Sequence, residues 1–195
     1  MGQSTGLHDL AGKEMSPRAR KYLDQYSKKV KRLEDQIKRI PFVVLVWGPG
    51  EQGGALFEKR RQIKEKLLGD GYAAVFSEDL EHLFSGSTLS ARGRELLEAV
   101  KADMIVLLYG SPGAIAELHD FAQFRDIGSK MLVFIDSRYV EGYGFKGTLK
   151  DLDASYKNVF QYTSPQDLDE CHLLTSVQER LNTMRVTKWS ADHLG

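Results

Sequence analysis

The 195-residue chain has little of several things, and each shortage narrows what it can be. It contains one cysteine, Cys171, so no intrachain disulfide can form; with no secretory signal pattern at its start, a reducing cytoplasm is the expected compartment. Its longest apolar runs, Phe42–Trp47 and Met104–Tyr109, are far too short to span a bilayer, so no membrane partner is expected. Formal net charge is zero, with 27 basic and 27 acidic side chains and no long block of one sign. That argues against nucleic-acid binding driven by bulk electrostatics. No spaced Cys/His set is present, His172 beside Cys171 included, so neither a metal nor a cofactor is implied.

What is present is a shift of rhythm at Pro41. Residues 1–15 mix Gly, Ser and charge without a period and read as a mobile tail. Ser16-Pro17 then resembles an N-cap followed by a first helical position. Through residue 40, Tyr22, Tyr26, Val30, Leu33, Ile37 and Ile40 recur every three or four residues. That spacing predicts a charged helix with one apolar stripe, able to pack on its own domain, a second copy or a protein partner.

From residue 41 to 187, strands and helices alternate. Phe42–Trp47, Tyr72–Phe76, Met104–Tyr109, Met131–Ile135 and Asn158–Tyr162 read as strands, and the first is apolar enough to be covered on both faces. Helices are predicted over 55–68, 94–100, 114–125 and from Ser164-Pro165 to about Met184; 77–90 read as a loop with some helical character, and a loop rich in Gly and aromatics from Tyr139 to Gly147 follows the fourth strand. Residues 188–195 read as a tail. The pattern predicts an α/β three-layer sandwich, Rossmann-like, with a mainly parallel five-stranded sheet in the flavodoxin-like order 2-1-3-4-5 and an extra N-terminal helix.

In such a sheet, ligands sit beyond the carboxyl ends of the strands where the order reverses, here between strands 1 and 3. The turns leaving those strands are Gly48-Pro49-Gly50-Glu51-Gln52-Gly53-Gly54 and Gly110-Ser111-Pro112-Gly113. Glycine amides and a helix start favour an anion, so the first turn suits a phosphate. It lacks the Gly-Lys-Ser/Thr of a P-loop and misses the dinucleotide spacing by one residue; a plain strand-to-helix connector explains it equally well. In the second turn Ser111 can cap the helix, Pro112 fixes its entry and Gly113 admits a ligand closely. Glu117 follows early in the helix. A carboxylate there can attack or stabilise an anomeric carbon as an N-glycosidic bond breaks, or simply complement the helix dipole. His119 diverges from Glu117 around the helix, and His82 reads as a solvated loop histidine.

The stretch Ala102-Asp103-Met104 through Gly110-Ser111-Pro112-Gly113-Ala114-Ile115-Ala116-Glu117-Leu118-His119-Asp120-Phe121-Ala122 resembles the nucleoside 2-deoxyribosyltransferase superfamily. An apolar first strand, Gly48-Pro49, a helix bearing Arg60 and Arg61, and an acidic loop with Glu78 and Asp79 fit the same pattern over residues 42–135. It also resembles nucleotide-sensing and phosphoribohydrolase domains and, more distantly, TIR-like NAD-cleaving domains, several of which act in bacterial antiphage defence. The resemblance implies Glu117 as nucleophile. It implies Gly48, Pro49, Gly50, Asp79, Tyr109, Gly110, Ser111 and Gly113 as contacts to a nucleoside, nucleotide or NAD-type small molecule. Two departures stand out: Tyr109-Gly110-Ser111 replaces an Asp after strand 3, and Gly113-Ala114 replaces Gly-Thr. Hydrolysis, a different nucleotide, or binding without turnover are the alternatives these departures leave open.

Overall fold

A computed structural model of the chain describes residues 15–140, 145–163, 165–169 and 172–194. Contacts divide the chain into two units, Met1–Ile40 and Pro41–Gly195, each described by itself.

The first unit holds helix α1, Pro17–Lys38. Ser16 caps it by accepting the Ala19 N–H at 3.2 Å, and Pro17, which has no N–H to leave unsatisfied, takes the first helical position. None of its residues is buried, and Tyr22, Tyr26, Val30 and Leu33 of the apolar stripe are exposed.

The second unit is built on strands β1 (Val43–Trp47), β2 (Ala73–Val75), β3 (Met104–Tyr109), β4 (Met131–Asp136) and β5 (Val159–Tyr162). All neighbours run parallel in the order β2-β1-β3-β4-β5, as the alternation of elements predicts. Because strand side chains alternate, each central strand feeds two cores. Val44, Val46, Met104, Val106, Leu108, Leu132 and Phe134 face one layer. That layer is formed by α2 (Ala55–Gly69), α7 (Gln166–Asp169) and α8 (His172–Leu194). Leu45, Trp47, Ile105, Leu107, Met131, Val133 and Ile135 face the other. There they meet α3 (Ala91–Lys101), α4 (Pro112–Phe121), α5 (Arg125–Gly128) and α6 (Lys150–Tyr156).

Several boundaries differ from the sequence reading. Helix α3 starts at Ala91, where the Ser90 hydroxyl accepts the Gly93 N–H, and α4 starts at Pro112 for the same kind of reason. The expected helix over 114–125 is two helices, because Ala122–Phe124 turn before α5. Between the expected Gly- and aromatic-rich loop and β5 lies α6, an unexpected helix whose sequence is too polar to announce itself; Leu152 is its one buried side chain. The helical character expected within 77–90 is a 3-10 turn over residues 77–84. Finally, α8 continues to Leu194 instead of stopping near Met184, so residues 188–194 are helix and not a loose tail. Lys188 there donates to the Pro41 carbonyl and pairs with Asp103. Ser164, Cys171 and Tyr143 lie outside the described residues.

Candidate functional site

The sheet brings the two glycine turns together. Gly48 leaves β1 with φ +154°, where a side chain would be strained, and a Cβ there would stand 3.1 Å from the Leu108 Cβ of β3. Gly110 leaves β3 so close to α2 that a Cβ would lie 2.5 Å from Leu56 Cδ1. These contacts let both turns border one open cleft of about 600 Å³, lined by Pro49, Gly50, Glu51, Gln52, Gly53, Gly110, Ser111 and Pro112. Gly48, Tyr109 and Gly113 are their immediate chain neighbours. Around Gly50 and Gly113 a Cβ would meet nothing within 4 Å, so backbone there is open to a ligand.

Ser111 is the N-cap of α4, its hydroxyl accepting the Ala114 N–H at 3.2 Å. Ala114, Leu118 and Phe121 then form the buried face of that helix, which fixes its rotation. Glu117, next to Leu118, is carried into a half-buried position. It is not among the residues lining the cleft. One of its carboxyl oxygens, Oε2, is buried with no hydrogen-bond partner.

Charges from three other elements act on that carboxyl. Burial, with Glu95, Glu78 and Glu98 adding repulsion and Arg60 opposing it, pushes Glu117 up to about 7. Arg60, on α2, is itself buried. Its Nε donates to the Val46 carbonyl at 2.9 Å and its Nη1 to the Pro49 carbonyl at 3.4 Å, tying α2 to the exit of β1. Nη1 and Nη2 then grip the Glu78 carboxylate at 2.7 and 2.8 Å, and the guanidinium lies 4.0 Å over the Phe76 ring. Burial opposes ionisation of Glu78, but the hydrogen bonds and charge of Arg60 outweigh it and hold that carboxyl below its ordinary value.

On α3, burial pushes Glu98 up, offset in part by a hydrogen bond from Ser77. Ser77 in turn accepts the Trp47 indole N–H at 2.8 Å. Burial and the Asp120 charge raise Glu95, against Arg94. Three glutamates from α3 and the 3-10 turn therefore act on Glu117, and only the buried Arg60 opposes them, a setting that favours the protonated carboxyl.

Asp79, expected as a ligand contact, is engaged within the protein. It pairs with Lys64 and accepts the Phe76 N–H at 2.7 Å, which caps the 3-10 turn. Its neighbour Glu78 is the residue that turns toward Arg60. Sequence reasoning singled out neither Glu95 nor Glu98, since a carboxylate pair three apart on a charged helix looks like ordinary surface. His119 is exposed, with Nδ1 2.7 Å from Thr148 Oγ1, and takes no part in the cluster. His82 is exposed on the 3-10 turn. Among the described residues no group of His, Cys, Asp and Glu could hold a metal ion, and no helix is long and apolar enough to cross a membrane.

Compared with known proteins, the chain matches no curated protein. The family model described as STM3845 retron effector protein matches it over residues 58–193, a span that contains Arg60, Glu78, the second glycine turn and Glu117 but not the first turn. That match takes in well over half of the chain, which belongs to the STM3845 retron effector protein family.

Proposed function

We propose that this retron-effector-family protein acts in bacterial defence by breaking the N-glycosidic bond of a nucleoside, nucleotide or NAD-type molecule, with Glu117 as nucleophile. Family membership supports the effector role. The deoxyribosyltransferase-like sequence around Glu117 supports the chemistry. The observation that carries the reading is the Glu117 carboxyl itself: an oxygen with no protein partner, held near a pKa of 7, on the helix that follows β3.

Such a carboxyl is ionised in about half the molecules at neutral pH, and the ionised form is little stabilised by its surroundings. In the proposed step its oxygen bonds to the anomeric carbon as the carbon–nitrogen bond breaks, and the base leaves with the bonding pair. Water then cleaves the glycosyl ester and restores the carboxyl; no metal or cofactor is required. The cleft between the glycine turns takes the sugar or its phosphate, with Gly50 and Ser111 lining it and Gly113 next in the chain. Asp79, already paired, contributes by fixing the turn that carries Glu78.

The test is incubation of the purified protein with nucleosides, nucleotides and NAD, following base release by chromatography. Base should appear, with a rate that rises as pH passes about 7, and Glu117→Gln should abolish it. Undiminished release by that variant would remove Glu117 from the mechanism.

One observation favours a second reading, nucleotide sensing without turnover: Glu117 does not line the cleft. Calorimetry showing saturable nucleotide binding, unaffected by Glu117→Gln and yielding no product, would select it.

A further inference from the structure

Two helices start beside the cleft, and their first turns differ. In α4, Pro112 has no N–H and the Ala114 N–H is taken by the Ser111 hydroxyl. Helix α2 starts open. Its N-cap is Gly54, which has no side chain to bond, takes φ +57°, and would meet nothing within 4 Å of a Cβ. Among the described residues, the N–H groups of Ala55, Leu56 and Phe57 find no acceptor. These amides follow directly on Gly50, Glu51, Gln52 and Gly53 of the cleft lining. A helix start of this kind favours an anion, but by itself it specifies none.

A counter-charge lies one turn along the same helix. Of the five cations on α2, Arg60, Arg61, Lys64 and Lys66 are each paired with a carboxylate. Lys59 is 5% exposed and, among the described residues, makes no hydrogen bond or ion pair. Burial without a partner is the costly state for an ammonium. Its Nζ is not sealed off, in contrast to Arg185 Nε. Helical side chains lean toward the N-terminus of their helix and cover the preceding turn, here Ala55–Glu58. Leu56, three residues earlier on the adjoining strip, already reaches the Gly110 turn, where a Cβ would lie 2.5 Å from its Cδ1. The Lys59 stem therefore runs toward the start of α2 and the cleft, and not into bulk water as a surface lysine does.

We infer that the start of α2, together with Lys59, binds the phosphate of the substrate, which is then a nucleotide or NAD-type molecule and not a free nucleoside. The inference rests on the glycosidic reading for what happens to that molecule; the phosphate site stands on α2. The amides of Ala55, Leu56 and Phe57 donate to the phosphate oxygens, and the Lys59 ammonium supplies the charge. The cleft lining offers no other cation, its one charged residue being Glu51, and Arg60 is held by Glu78. Glu51 is exposed, and its carboxylate at the same rim weakens the site without closing it. With the phosphate at α2, the sugar lies toward Ser111 and α4, the helix that carries Glu117.

The test is calorimetry on the full chain with the common nucleosides, their 5′-monophosphates, NAD and inorganic phosphate at constant ionic strength. The phosphorylated molecule that binds best should bind at least about tenfold more tightly than its nucleoside, and inorganic phosphate should compete with it. Lys59→Met, which keeps a stem of similar size and drops the charge, should erase that preference. Lys59→Arg should keep part of it, and Glu51→Gln should enlarge it. Urea midpoints report on folding: Lys59→Met should be no less stable than wild type, because it removes a buried charge that has no partner. Equal binding of nucleosides and phosphorylated forms overturns the inference, as does the absence of binding by every phosphorylated probe. A preference that survives Lys59→Met overturns it too, and so does a marked loss of stability in that variant, which would give the ammonium a structural role. A Lys59-dependent preference without base release would keep the phosphate site and remove the glycosidic reading. Base release from nucleosides as fast as from nucleotides would do the reverse.

Discussion

Arg60 and Glu78 form one ion pair, but their losses should be unequal. Arg60 is 3% exposed and also satisfies two backbone carbonyls, whereas the Glu78 side chain is half exposed. Removing Arg60 as Arg60→Ala strands the Val46 carbonyl and leaves a cavity against Phe76; it should cost about 3 kcal/mol. Glu78→Ala leaves Arg60 two protein acceptors and a route to water, and should cost nearer 1 kcal/mol. Urea midpoints at neutral pH measure both, and equal losses would contradict the asymmetry. Glu117 contributes a pH dependence of opposite origin. Its folded pKa, about 7, lies above the ordinary 4.5, so the folded state keeps its proton while the unfolded chain gives its own up. Stability is therefore greatest below about 4.5 and falls as pH rises to about 7, by roughly 3 kcal/mol from this group. Glu117→Gln removes that fall, so the variant should unfold above wild type at pH 8 and lose the advantage near pH 5, as thermal melts across that range would reveal. This carboxyl stood out in the sequence through its spacing from the glycine turn. Its buried neighbours did not, because nothing local tells Glu95 and Glu98 from surface acids or shows which of Glu78 and Asp79 faces Arg60.

Elements were legible in proportion to their apolar content. Five runs such as Phe42–Trp47 and Met104–Tyr109 announce buried parallel strands, and their alternation with helices is enough for the order 2-1-3-4-5. Helix α6 was illegible because Lys-Asp-Leu-Asp-Ala-Ser-Tyr offers the core one leucine, and the end of α8 because its anchors are polar and distant in sequence. Those anchors define the next prediction. Lys188 Nζ pairs with Asp103 Oδ1 at 2.6 Å and donates to the Pro41 carbonyl at 3.0 Å. The other oxygen of Asp103 accepts the Val43 N–H at 2.8 Å. Three elements, α8 and the starts of β1 and β3, thus meet on one carboxylate. Asp103→Ala releases all of them and should cost about 2 kcal/mol, while Lys188→Ala keeps the Val43 bond and should cost under about 1 kcal/mol. Chemical denaturation distinguishes the two, and a larger loss for Lys188→Ala would show that the helix end, not the carboxylate, is the anchor.

At the scale of the whole molecule, the members of both cores all come from Phe42 onward, and none comes from the described residues of the N-terminal unit. Strands β1 and β3 pair from Val44 to Trp47, and their flanking helices and caps all lie beyond Pro41. A chain shortened to residues 41–195 therefore retains each of the contacts that hold the sheet and its two layers. It should unfold cooperatively, with a thermal midpoint within a few degrees of the full chain in parallel melts. A shortened chain that fails to fold would mean that residues 1–40 stabilise the α/β unit through something other than its core.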